Sequence, residues 1–137
     1  MPCVASLRAK VDRDGGGKHQ DVTMLELFLP SQILGLVDCD QHLYSFEWRL
    51  RFAQAHDALN DIHRLLVLRS RLQRSKERFA RGQFHNTRGV AVLNRVNARI
   101  HLHAKKYRET RILLQRLAPK VLIIGWDCQL KPLQVTK

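Results

Sequence analysis

The run Ala55-His56-Asp57-Ala58-Leu59-Asn60-Asp61-Ile62-His63-Arg64-Leu65-Leu66 decides the fold class of this chain. Its apolar residues Ala55, Ala58, Leu59, Ile62, Leu65 and Leu66 recur mostly at spacings of three and four. At about 3.6 residues per turn such positions share one face of an α-helix. Leu72 and Phe79 continue the series, and neither Gly nor Pro occurs from Gln41 to Arg81. Asp40 stands just ahead, where its carboxylate can accept the orphan N–H groups of a first turn. The pattern predicts one helix over residues 41–81, ~60 Å long.

Downstream, Gly82-Gln83-Phe84-His85-Asn86-Thr87-Arg88-Gly89 interrupts the pattern. Gly82 suits the left-handed conformation that ends a helix, and Asn86 or Thr87 can cap the next. A second helix is predicted over residues 88–117, with Pro119 as its stop. Its seam of Leu93, Val96, Ile100, His103, Tyr107, Thr110, Leu114 and Leu117 alternates steps of three and four. That seven-residue periodicity favours coiled-coil-like packing. A connection of about six residues implies antiparallel neighbours.

The expected fold is therefore all-α: a long antiparallel helical hairpin, coiled-coil-like, occupying residues 31–118. A flexible segment over residues 1–30 precedes it and a short apolar tail over residues 119–137 follows. Asp12-Arg13-Asp14-Gly15-Gly16-Gly17-Lys18 reads as disordered or as a loop. Val22–Leu29 fits a short strand or a helical turn equally well, and Ser31 can cap a turn through Leu34 that stops at Gly35. The tail's Val121-Leu122-Ile123-Ile124-Gly125-Trp126 needs a surface to dock on, because a two-helix hairpin has little interior.

At 137 residues the chain is the size of one domain. It carries 24 Lys and Arg against 12 Asp and Glu, a formal charge of +12. The excess is uneven: residues 1–40 are net −2, residues 41–81 net +5, residues 82–118 net +7 and residues 119–137 net +2. This balance points to an acidic partner. Cys3, Cys39 and Cys128 are odd in number and lack C-x-x-C spacing, so neither a disulfide framework nor a cysteine zinc site is expected. Reduced thiols place the chain inside the cell, with the nucleus among the compartments open to it. No signal-peptide core and no apolar run of about 20 residues is present, so no membrane role is expected.

The cations form rows. Arg64, Arg71 and Arg78 share one line on the first helix, roughly opposite its apolar face, with Arg74 and Arg81 beside them. Arg88, Arg95, Arg99 and Lys106 fall within about 40° of one direction at the edge of the second helix's apolar face. Such rows can follow a phosphate backbone by releasing its counterions. The plainer reading is two solvated faces that keep the helices soluble. Few aromatics interleave, which disfavours a single-strand stacking platform. Arg69 and Lys76 fall inside the first seam, where they either face a partner's carboxylates and fix register or extend out to water.

Catalytic signals are sparse. Asp57 and Asp61, with His56, could hold a divalent ion, but an Asp61–Arg64 ion pair one turn apart explains the same residues. Asp38 and Asp40 suit capping and the helix dipole. His101 and His103 point apart and cannot share a metal, whereas His103 fits an interface histidine. His56 and His63 share a face but lack partners at fixed spacing. No nucleotide-binding, zinc-protease or nucleophile-elbow motif occurs. No catalytic residue, metal or cofactor is expected.

One ordered set of phrases goes further. Leu29-Pro30-Ser31 is followed by Glu47-Trp48-Arg49-Leu50-Arg51 and Ala53-Gln54-Ala55-His56-Asp57-Ala58-Leu59-Asn60. Gly82-Gln83, Asn86-Thr87-Arg88, Lys106-Tyr107-Arg108 and Ala118 complete it, with Trp126, Leu130 and Leu133 in the tail. Over about residues 27–133 this resembles the helical region of basidiomycete proteins associated with KDZ-type transposons, KDZ transposases among them. The resemblance implies an accessory helical segment. The metal-dependent acidic triad and RNase-H-like fold of those transposases are not placed on this chain, and no catalytic residue carries over. The first 22 residues and Val121–Trp126 depart from the family pattern.

The expectation is a non-catalytic basic helical module of transposon origin that contacts DNA or RNA through phosphates. The alternatives are a helical interaction module that self-associates through the Ala55–Phe79 and Leu93–Leu117 seams, and a degenerate gene fragment.

Overall fold

The computed structural model describes Ala5, Ala9, residues 28–79 and residues 83–134. Helix α1 spans Gln41–Phe79, α2 spans Gln83–Val121 and a short α3 spans Trp126–Gln129. The described residues contain no strand. The two 39-residue helices pack against each other as an antiparallel hairpin. The expected all-α hairpin is thus the observed architecture.

Asp40 caps α1: its Oδ1 accepts the His42 N–H at 3.0 Å and its carbonyl accepts the Leu43 N–H at 2.9 Å. Both boundaries of α2 differ from expectation. α2 begins at Gln83, so Thr87 and Arg88 lie inside it. Gly89 is half-buried there, and the Lys76 stem passes 3.5 Å from where a Cβ would stand. The residue read as part of a break is a small residue at a close helix–helix approach. Nor does Pro119 end the helix, which continues to Val121. Leu117 and Ala118 are buried and Val121 packs on the core, which offsets the hydrogen bond a proline removes. Arg81 and Gly82 lie outside the described residues. So do Val22–Leu27 and Asp12–Lys18, while Ala5 and Ala9, within the segment over residues 1–30 expected to be flexible, are helical.

The hairpin has a base and an arm. In the base, Tyr44, Trp48, Ala55 and Ala58 of α1 meet Tyr107, Leu114 and Leu117 of α2 in one buried cluster. Trp48 stacks on Phe52 at 4.9 Å, and Phe52 meets His56 edge-on at 4.7 Å. Two further segments complete this core. Residues 28–37 form a strap of tight turns, with Gly35 at φ 93°. Its Ser31 does not cap the turn: Ser31 is buried, its N–H donates to Glu47 Oε2 at 2.8 Å and its hydroxyl to Oε1 at 2.6 Å. Arg51 Nε donates to the same carboxylate at 3.3 Å. Asp38, beyond the strap, pairs with Lys120 at 3.8 Å.

The tail docks on the base as well. Leu130 is fully buried, Tyr107 donates its hydroxyl to the Lys131 carbonyl at 2.7 Å, and Arg111 Nε donates to the Leu130 carbonyl at 2.9 Å. The Arg111 guanidinium also sits over the Trp126 ring, 5.6 Å from its centroid. Burial pushes the Tyr107 phenol above its ordinary value of 10.0, against a smaller downward pull from Arg111. The folded chain therefore holds the neutral phenol, and this contribution to stability is complete below pH 10 and is lost as pH rises through the folded value. Alkaline titration followed by tryptophan fluorescence should show tail loosening above that point, and Tyr107→Phe should remove the step.

Leu122 turns the chain out of α2 at φ 58°, a left-handed conformation that glycine occupies without a Cβ clash. Its side chain is 78% exposed, so little burial is lost on removal. Leu122→Gly should raise stability by about 0.5 kcal/mol, the relief of strain less glycine's extra chain entropy. Thermal unfolding measures it, and a lower midpoint contradicts the strain argument.

Candidate nucleic-acid interface

Beyond the base, residues 63–102 form an arm whose charge is one-sided in sign. It holds ten of the 24 Lys and Arg but one carboxylate, Glu77. Glu77 accepts a hydrogen bond from Gln73 Nε2 at 3.3 Å. Arg64, Arg71, Arg74, Arg78, Arg88, Arg95, Arg99 and Lys106 are all exposed. Among the described residues the ion pairs join Arg51–Glu47, His103–Asp61, Lys105–Glu109 and Lys120–Asp38. None of the eight candidate cations is in that set. Arg81 lies outside the described residues.

One cross-helix contact orients the rows. His103 Nδ1 lies 3.4 Å from Asp61 Oδ2, an ion-pair distance without hydrogen-bond alignment. The expected Asp61–Arg64 ion pair does not form: Asp61 turns toward the other helix. The contact marks one flank of the hairpin, and helical neighbours three, four or seven residues away share that flank. Arg64 follows Asp61 by three, and Arg71 and Arg78 follow at sevens. Lys106 follows His103 by three; Arg99 and Arg95 precede it by four and eight, and Arg88 lies seven before Arg95. Both rows therefore line the same flank.

Residue 61 is level with 103 and residue 76 with 89. Arg64, Arg71 and Arg78 thus stand level with Arg99, Arg95 and Arg88 to within about two residues. The result is a ladder of three arginine rungs about 10 Å apart. Exposed Leu68 and Val92 lie between the rungs. Arg74 follows Arg71 by three and precedes Arg78 by four, so it stands beside that row, toward the back of α1.

Arg64 and Arg71 each precede a half-buried seam residue, Leu65 and Leu72, by one position, about 100° around the helix. The buried line of α1 runs through Ala55, Ala58 and Ile62 in the base and through the half-buried Leu65, Leu72 and Lys76 in the arm. Rows at seven-residue spacing turn together by about 20° per heptad, so the arginine row keeps its distance from this line. Lys76 is half-buried along Gly89 and Arg69 is exposed.

The arrangement offers cations and no assembled catalytic group. Among the described residues no cluster of three or more His, Cys, Asp or Glu could hold a metal ion. Asp57 is exposed, and His56 packs on Phe52. Neither Cys39 nor Cys128 is in a disulfide. No described helix is long and apolar enough to cross a membrane. An open groove of about 500 Å³ lies against the tail, lined by Ala118, Pro119, Leu122, Ile123 and Trp126, with Arg111 and Asp127 at its polar positions. No family model, curated protein or solved structure matches the chain.

The chain order gave no sign of what completes the base. The Ser31–Glu47 clasp joins residues 16 apart and the Tyr107–Lys131 bond residues 24 apart.

Proposed function

We propose that the chain is a non-catalytic nucleic-acid-associated module whose arm holds the phosphate backbone along the Arg64–Arg99, Arg71–Arg95 and Arg78–Arg88 rungs. What supports this reading is that, by helical spacing, six arginines from two helices line one flank, and among the described residues none is neutralised by a carboxylate. A solubilising face needs scattered charges of both signs, whereas aligned like charges repel and favour binding a polyanion. Each cation that meets a phosphate releases a counterion, so binding weakens steeply with salt. The KDZ-like order of motifs fits the same reading, as an accessory helical segment of transposon origin. Titration of the full chain into labelled nucleic acid at several salt concentrations tests it. Salt-dependent binding is expected; no binding even at about 50 mM salt overturns it.

A further inference from the structure

The flank of the arm that faces away from the arginine ladder has a different chemistry. Helical spacing places Leu66, Arg69, Ser70, Gln73 and Glu77 along one stripe of α1, and the Gln73–Glu77 hydrogen bond runs along it. On α2 the same flank presents Val90, Asn94, Asn97 and His101, with no Lys or Arg. Leu66 is 44% and Val90 39% exposed. In the base the strap and tail complete the core, but no described segment does so in the arm.

We propose that this flank is the interface for a second copy of the chain, packed with the two α1 helices antiparallel about a two-fold axis at Gln73. The charges on the stripe argue for a self-complementary partner. There is one of each sign, Arg69 and Glu77, and they stand four residues to either side of Gln73. An isologous two-fold at Gln73 brings each Arg69 to the other copy's Glu77, so both pairs close at once. A different partner has no need of that symmetry. The strongly cationic flanks then face outward from the dimer, where their mutual repulsion is least. Two helices side by side over the arm present about 500 Å² per copy, or about 1,000 Å² in total. That is the lower limit of a specific interface, so the dimer is reversible and concentration-dependent.

Sedimentation velocity of the full chain from micromolar to near-millimolar concentration tests the proposal. A reversible monomer–dimer equilibrium is expected. Arg69→Glu and Glu77→Arg should each weaken it at least about tenfold, by setting like charges against each other across the axis. The double reversal restores both pairs and should return the dissociation constant to within about threefold of the original. Circular dichroism checks that each variant is folded; both positions are exposed, so helix content should hold. A chain that is monomeric throughout overturns the proposal. So does a dimer indifferent to either single reversal, or one that the double reversal fails to rescue. Neither residue belongs to the ladder, so nucleic-acid binding by these variants reports on the proposed function separately.

Discussion

Replacing Glu47 by alanine is expected to destabilise the fold by about 3 kcal/mol and to release the strap from the base. The carboxylate is 6% exposed and accepts both the N–H and the hydroxyl of Ser31 as well as the Arg51 Nε–H. Removing it strands the buried Ser31 donors. Hydrogen bonds to a charged acceptor are worth about 1.5–3 kcal/mol each, but the partly exposed Arg51 can turn to water and returns some of the loss. Glu47→Gln should cost less, about 1–2 kcal/mol, because the amide oxygen can keep one Ser31 bond. Against a total stability of about 5–15 kcal/mol for a domain, the alanine variant should be visibly less stable to urea. An unchanged midpoint contradicts the clasp.

The second large effect concerns binding. Substituting Arg64, Arg71, Arg95 and Arg99 together by glutamine should lower nucleic-acid affinity by on the order of 10²-fold at low salt. The slope of log K against log salt should flatten by about 4, one phosphate contact per arginine. Lys105→Gln removes a charge outside the ladder, one paired with Glu109, and should change the slope by less than about 1. All five side chains are exposed, so folding should be unaffected. If affinity simply tracks net charge, with Lys105 counting as much as each ladder arginine, the face has no special role. Fluorescence anisotropy on the two variants distinguishes these outcomes.

The helices were legible because local rules govern them. An uninterrupted run from Gln41, a capping Asp40 and apolar steps of three and four leave few alternatives to a long helix. All eight seam positions from Leu93 to Leu117 are buried or half-buried in the structure. The helix ends were less legible, since propensity gave way to packing. Gly89 reads as a break yet serves a close approach to Lys76, and Pro119 reads as a stop yet sits in a last turn whose neighbours are buried. The strap and tail were not legible at all, because Ser31, Glu47, Tyr107 and Lys131 carry no periodic signal that links them. For the candidate interface the residues could be named from spacing. Their convergence on one flank could not, since it depends on the register set by Asp61–His103.

That register also changes the self-association argument. The Ala55–Phe79 and Leu93–Leu117 seams face each other within one chain. An association through them would require the hairpin to open. The stripe from Leu66 to Glu77 is free of that cost.

The claim at the centre of this account is that the arm has one flank for phosphate and another that leaves it alone. Titrating short duplex DNA into the isotope-labelled full chain, with the arginine side-chain and amide signals followed by NMR, tests it most directly. The account predicts shifts at Arg64, Arg71, Arg78, Arg88, Arg95 and Arg99, with Gln73, Val90, Asn94 and Asn97 unmoved. Equal shifts on both flanks, or a footprint confined to the base, would contradict it.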